Sequence, residues 1–325
     1  MRRLQWVVWN RSERRLRAPW RLLAGTLLFL LLSIATVLAL QLFRVTVGVD
    51  LLAAVGPTVR PFALNAIGGF VVLLTLVAIA WTLDQRRLSD YGLRIDREWW
   101  VDCGFGLALG AAAMTVLVGV GVAGGWLAVS STGASADLLP QLAGLAGIFL
   151  LVGIYEELLV RGYLLTNIAE GLQWFDRLSA RAAAVIAALL SALVFGGLHA
   201  TNPNATLLST VIISAAGVML ALGYLYTGEL AIPIGIHITW NAFQGLVYGL
   251  PVSGAALPVS LVDTTTRGST LVSGGAFGPE AGLLGLGGVI LAALAIVVYC
   301  RSRYGTLAID PDVTTPHLRT LTTAE

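Results

Sequence analysis

Three pairs of residues, five of the six polar or charged, stand four positions apart inside otherwise apolar stretches. They are Glu157 and Arg161 in Gly153-Ile154-Tyr155-Glu156-Glu157-Leu158-Leu159-Val160-Arg161, Phe195 and His199 in Phe195-Gly196-Gly197-Leu198-His199, and His237 and Asn241 in Ile236-His237-Ile238-Thr239-Trp240-Asn241. Residues four apart share one face of an α-helix, and Glu before Arg is the favourable order for an ion pair. Glu156 is rotated by about 100° from Glu157, so the arrangement leaves a second carboxylate for other work. Of the three histidines in the chain, His199 and His237 lie in apolar segments, whereas His317 sits in a polar tail and looks incidental. A carboxylate or guanidinium in hydrocarbon costs several kcal/mol, so a concentrated set of this kind is functional or paired.

A carboxylate beside a neutral imidazole can deprotonate water, a role that suits Glu156 with His199. A second imidazole and an amide can donate hydrogen bonds to the oxyanion formed when that water attacks a peptide carbonyl, which suits His237 and Asn241. Two histidines and a carboxylate also make a common open zinc site, with Glu156, His199 and His237 as candidate ligands. Residue types alone leave both mechanisms open. No H-E-x-x-H occurs, and no Ser, Cys or paired-Asp arrangement of other membrane hydrolases is present. The blander alternatives are a surface ion pair at a helix end, a capping His199, and a His237 bonded to a helix neighbour.

The elements that carry these residues follow from composition. With 57% hydrophobic and 12% charged residues and a mean hydropathy of +0.84, the chain lies outside the range of soluble domains. Apolar runs predict an all-α, polytopic transmembrane bundle of about eight helices: Leu22–Leu42, Phe62–Leu83, Val101–Val129, Leu139–Leu159, Ala182–His199, Leu207–Tyr226, Leu230–Val247 and Ala281–Cys300. All 20 basic residues are Arg; alternating the sides places seventeen of them on the side of the N-terminus and only Arg44, Arg60 and Arg267 opposite. By the positive-inside rule both termini are then cytoplasmic, in a multi-pass protein of the cell membrane.

The expected organisation is a basic N-terminus (1–21), helices one to three (22–138), a core of helices four to seven (139–248), an external Gly/Ser/Thr-rich loop (249–280), a last helix (281–300) and a polar, disordered tail (301–325). The first apolar run is too long for a signal peptide and reads as a retained helix. Gly106-x-x-x-Gly110 and Gly121-x-x-x-Gly125 predict close helix packing. Cys103 and Cys300 read as small apolar residues, and nothing indicates nucleic acid as a partner.

Glu156-Glu157-x-x-x-Arg161, Phe195-x-x-x-His199 and His237-x-x-x-Asn241, in this order on separate helices, resemble the three motifs of the CAAX protease and bacteriocin-processing family. The resemblance covers roughly Leu139 to Val247. It implies an eight-helix intramembrane endopeptidase acting on peptide or membrane-protein substrates in the bilayer. Glu156 would be the catalytic base, Glu157 and Arg161 its supporting pair, and His199, His237 and Asn241 the remaining site residues. A non-catalytic scaffold or immunity factor and an ion-coupled transporter are the alternatives; the inverted repeats a transporter predicts are absent from the sequence. One tension stands: His199 falls about 27 Å from the cytoplasmic start of its helix, further than Glu156 or His237. The three meet only if helix five tilts or starts further out, or if helix four runs on past Arg161.

Overall fold

The computed structural model describes residues 7–54, 56–131, 138–174 and 178–319; Arg2, Arg3, Arg177 and tail residues 320–325 lie outside the described residues. Eight helices form the body. α1 is Ala18–Val47, and α2 is Gly56–Ile79, extended by a π-turn to Asp84. α3 is Arg97–Ala123, α4 starts at Leu138–Glu157, α5 is Ala180–Leu198 and α6 is Leu207–Thr227. α7 is Ala231–Ala242 and α8 is Leu283–Tyr304.

Local chemistry explains several boundaries. Asp96 caps α3 by accepting from Trp99 N–H at 2.8 Å, and Thr206 and Ser209 form a reciprocal capping box at the start of α6. Gly228, at φ 67°, closes α6 in the left-handed conformation that glycine adopts without strain. Pro233 sits in the first turn of α7, where its missing N–H costs nothing.

Among the described residues seven helices are long and apolar enough to cross a membrane, and the protein is a polytopic helical bundle. The expected eighth span is different in kind. α7 has 12 residues and continues as a π-turn over Phe243–Val247. It is enclosed by its neighbours and packs most extensively on α3. Gly106 and Gly110 allow that packing, since a Cβ at either would strike the α7 carbonyls of Ile232 or Ile236. α1 contrasts with it: only Ala18, Arg21 and Gly25 of its 30 residues are buried, so an apolar surface faces outward, as lipid requires.

Four expectations change. Helix four does not end at Leu159 but continues through a π-turn, Leu158–Leu165, into Thr166–Gln173, one helix of 36 residues. Helix three ends at Ala123 rather than Val129, and Gly125 lies beyond it. Residues Leu127–Ser131 instead form strand β3, antiparallel to β4, Val262–Thr266, with Leu127 opposite Thr266 (β1 and β2 are the two-residue strands Trp9–Asn10 and Arg15–Leu16). The loop after α7 is therefore structured. The tail is docked, with Val313 and Leu318 buried and Arg94 paired to Asp312 at 2.6 Å.

Two of the N-terminal arginines, Arg15 and Arg21, turn inward. Arg15, Arg21 and Arg86 are buried and meet Asp84 and Glu170; Arg21 is 2.7 Å from Asp84 and 2.6 Å from Glu170. This cluster ties the start of α1 to the ends of α2 and α4, and it neutralises Glu170 in the part of α4 that follows Arg161.

Candidate functional site

Glu157 and Arg161, both fully buried, pair at 2.8 Å. Arg161 also donates to the Gly217 carbonyl of α6 at 3.1 Å. The π-turn begins directly after Glu157, and such turns recur at functional sites. Gly153, one turn earlier, sets the distance to α7: a Cβ there would lie 2.6 Å from Ile238 Cγ1. With the backbones so close, His237 Nδ1–H donates to Glu157 Oε1 at 2.7 Å, a bond that fixes the imidazole tautomer and turns Nε2 away from Glu157.

His237 Nε2 is 3.8 Å from Glu156 Oε2. Glu156 Oε1 accepts from Tyr155 O–H at 3.2 Å, while the buried Oε2 accepts no hydrogen bond among the described residues. The sequence pairs Glu156 with His199; the structure gives it His237 as its imidazole neighbour, with His199 on the wall of the same cavity. His199 caps α5 as well: its Nδ1–H donates to the Phe195 carbonyl at 2.8 Å, which leaves the Nε2 lone pair available. The two roles are compatible, since the capping bond orients the ring.

Phe195 stands at the centre of the set. Its ring centroid is 4.5 Å from the Arg161 guanidinium, 4.8 Å from the His199 ring and 6.0 Å from the His237 ring.

A cavity of about 810 Å³ lies between α2, α4, α5, α7 and residues 252–257, and Glu156, His199, His237 and Asn241 all line it. A second one, of about 60 Å³, shares His199, His237, Asn241 and Ser253 and reaches Glu280. The depth problem of His199 is solved as the long-helix alternative requires: α4 runs on to Gln173, so Glu156 lies near its middle. Asn202 and Pro203 of the turn after His199 also line the larger cavity.

The residues do not form a metal cradle as they stand. Among the described residues no three His, Cys, Asp or Glu side chains converge to hold an ion; the Nδ1 bonds of the two imidazoles leave each Nε2 open and do not bear on that result. Sequence reasoning missed Tyr155, Asn65, Ser253 and Glu280 on these walls. Glu280 carried the weakest signal, one carboxylate at the end of a loop without periodicity.

Fold and site together define a multi-pass helical membrane protein with a largely apolar cavity inside its bundle into which a glutamate and two histidines are set. Residues 138–243 match the model of the family described as type II CAAX prenyl endopeptidase Rce1-like, which bears out the resemblance to CAAX proteases over α4 to α7. All six polar motif residues and Phe195 fall within the match. No curated protein and no solved structure matches the chain.

Proposed function

We propose that the protein is an intramembrane endopeptidase of the cell membrane that hydrolyses peptide bonds of membrane-associated substrates, prenylated C-terminal peptides among them, by a glutamate-activated water. The observation that carries this reading is Glu156 Oε2: buried, without a hydrogen-bond donor, and 3.8 Å from His237 Nε2 on the wall of a cavity of about 810 Å³. That volume suits an enclosed substrate segment.

In this reading Glu156 takes the proton of a water that His199 Nε2 helps to hold, and the resulting hydroxide attacks the scissile carbonyl. Charge then builds on the carbonyl oxygen. The Asn241 amide and a proton on His237 Nε2 answer it, and Glu157 at 2.7 Å supports the imidazolium. Arg161 pairs with Glu157 at 2.8 Å and holds it in line with His237. The tetrahedral intermediate collapses as Glu156 returns its proton to the leaving amine. The sequence alone left zinc as an alternative to this scheme; the present donor geometry favours the direct role of Glu156.

The test is turnover by purified protein in detergent of a farnesylated CAAX peptide and a library of membrane-spanning peptides, comparing wild type with Glu156→Gln and His199→Ala. Cleavage by wild type, lost in both variants with unchanged size-exclusion profiles, is expected. A wild-type protein that cleaves none of them would return the chain to the scaffold reading.

A further inference from the structure

Glu280 lies outside the family-matched segment, in the short turn Pro279–Ala281 before α8, yet it reaches the wall of the smaller cavity beside His199, His237 and Asn241. Its Oε2 accepts from Ser253 N–H at 2.7 Å, its Oε1 lies 3.4 Å from Ser253 Oγ, and the Gln244 side chain also bonds to it. Gln244 is three residues past Asn241 and donates in addition to the Pro251 carbonyl at 2.6 Å. From the other side Asn202, three residues past His199, donates to the Ser253 carbonyl at 3.1 Å. Ser253 is thus held at both its backbone N–H, by Glu280, and its backbone carbonyl, by Asn202.

Ser253 needs that grip. Its φ of 47° is a left-handed conformation that a non-glycine residue holds only when its surroundings impose it, and such residues gather at binding and catalytic sites. The turn it forms leads directly into residues 254–257, which line the large cavity opposite Glu156. Gly254 completes the seating: its N–H donates to the Phe277 carbonyl at 2.8 Å, and a Cβ there would strike the Pro203 carbonyl. Burial raises the Glu280 carboxyl, against the hydrogen bonds from Ser253 and Gln244.

We infer that Glu280 is a positioning residue of the active site: with Asn202 it latches the Ser253 turn, so that residues 252–257 form a fixed wall against which the substrate chain lies. The inference rests on the peptidase reading above and adds to it a residue that the three motifs do not contain. A latch on a binding wall acts on substrate affinity, whereas the proton-transfer groups act on turnover.

The experiment measures KM, kcat and backbone hydrogen exchange of wild type, Glu280→Ala, Glu280→Gln and Asn202→Ala in detergent, with the farnesylated CAAX peptide or whichever library peptide wild type cleaves. Glu280→Ala is expected to raise KM roughly tenfold with kcat within about threefold, and to speed exchange over residues 252–257 about tenfold while α8 stays protected. Glu280→Gln keeps an acceptor for Ser253 N–H and is expected to recover most of the KM. Asn202→Ala is expected to raise KM several-fold, and its combination with Glu280→Ala to be less than additive, because both grip one turn. If Glu280→Ala fails to fold, the Gln and Asn202 variants carry the test.

Unchanged exchange over 252–257, faster exchange with unchanged KM, or a loss of kcat at constant KM would each overturn the inference while leaving the peptidase reading intact. A wild type that cleaves nothing overturns the peptidase reading itself, and the inference with it.

Discussion

Glu157 and His237, on helices 80 residues apart in sequence, share a hydrogen bond of 2.7 Å, and the same Glu157 oxygen accepts from Arg161 at 2.8 Å. One fully buried carboxylate therefore serves a cation and an imidazole together. Removing it alone leaves the buried Arg161 charge without its paired carboxylate, a change that costs about 3–5 kcal/mol. Glu157→Gln is expected to lower the apparent unfolding midpoint in detergent by roughly 5–10 °C and kcat by about a hundredfold. The double variant Glu157→Gln/Arg161→Met is expected to regain most of the stability but none of the activity. Thermal unfolding monitored by tryptophan fluorescence separates the two effects.

Phe195 joins the three motifs through its ring. A leucine there keeps an apolar filler but loses the face on which the Arg161 guanidinium rests at 4.5 Å and the edge contacts to both imidazoles. A desolvated cation–π contact is worth about 2 kcal/mol. Phe195→Leu is expected to cost about that much stability and, by letting both rings shift, to reduce kcat about tenfold or more. Wild-type turnover in Phe195→Leu would show that the ring only fills space.

How much of this was legible in the sequence depended on whether the signal was local. The six motif residues announced themselves because charge and imidazole stand out in apolar runs, and the bundle followed from hydropathy. The end of α4 was hidden because Arg161, Asn167 and Glu170 read as a helix leaving the membrane. Only tertiary contacts with Arg15 and Arg21 reveal that Glu170 is neutralised inside the protein. Leu127–Val129, the start of strand β3, read as helix because the strand's partner, Val262–Thr266, is more than a hundred residues away. Glu280 and Ser253 were invisible for the same reason: a loop of Gly, Ser and Thr carries no period that says which residue turns inward.

Gly235 places α7 against α3 two residues before His237. A Cβ there would lie 2.5 Å from the Cys103 carbonyl and 2.7 Å from Leu107 N, both backbone atoms that cannot turn aside. Gly235→Ala is expected to destabilise by about 1–3 kcal/mol through overpacking and to lower kcat by displacing His237. Gly104 and Gly119 in α3 have nothing within 4 Å of the same construction. Alanine at either is expected to be neutral or to stabilise by up to about 1 kcal/mol, since it restores helix propensity. Paired unfolding and turnover measurements on the three variants check both signs.

The docked tail gives a pH dependence outside the membrane. Burial opposes ionisation of Asp312, but hydrogen bonds from His317 and Arg94 prevail and hold its carboxyl below the ordinary value. Burial raises Glu229, against the hydrogen bonds from the same Arg94. As pH falls, Glu229 takes up its proton first and Asp312 keeps Arg94. The Asp312 contribution is complete above the ordinary carboxylate value of about 3.9 and is lost as pH falls through the lowered one. Residues 305–319 are expected to keep their exchange protection through mildly acidic solution and lose it only below about pH 4, after correction for intrinsic rates. Asp312→Asn is expected to lose part of it already at neutral pH.

The two imidazoles bear on the metal question. His237 commits Nδ1 to Glu157 and His199 commits Nδ1 to the Phe195 carbonyl, so each retains only Nε2 for the cavity. A catalytic zinc site needs three protein ligands within about 2.0–2.2 Å of one point, and among the described residues no three such donors converge. With Glu156 acting directly on water, turnover is expected to survive incubation with phenanthroline or EDTA, and the active protein is expected to contain well under one zinc per chain by mass spectrometry. Loss of turnover in chelator, restored by stoichiometric Zn²⁺, would instead make Glu156, His199 and His237 ligands, with the Nδ1 bonds to Glu157 and to the Phe195 carbonyl orienting the two rings.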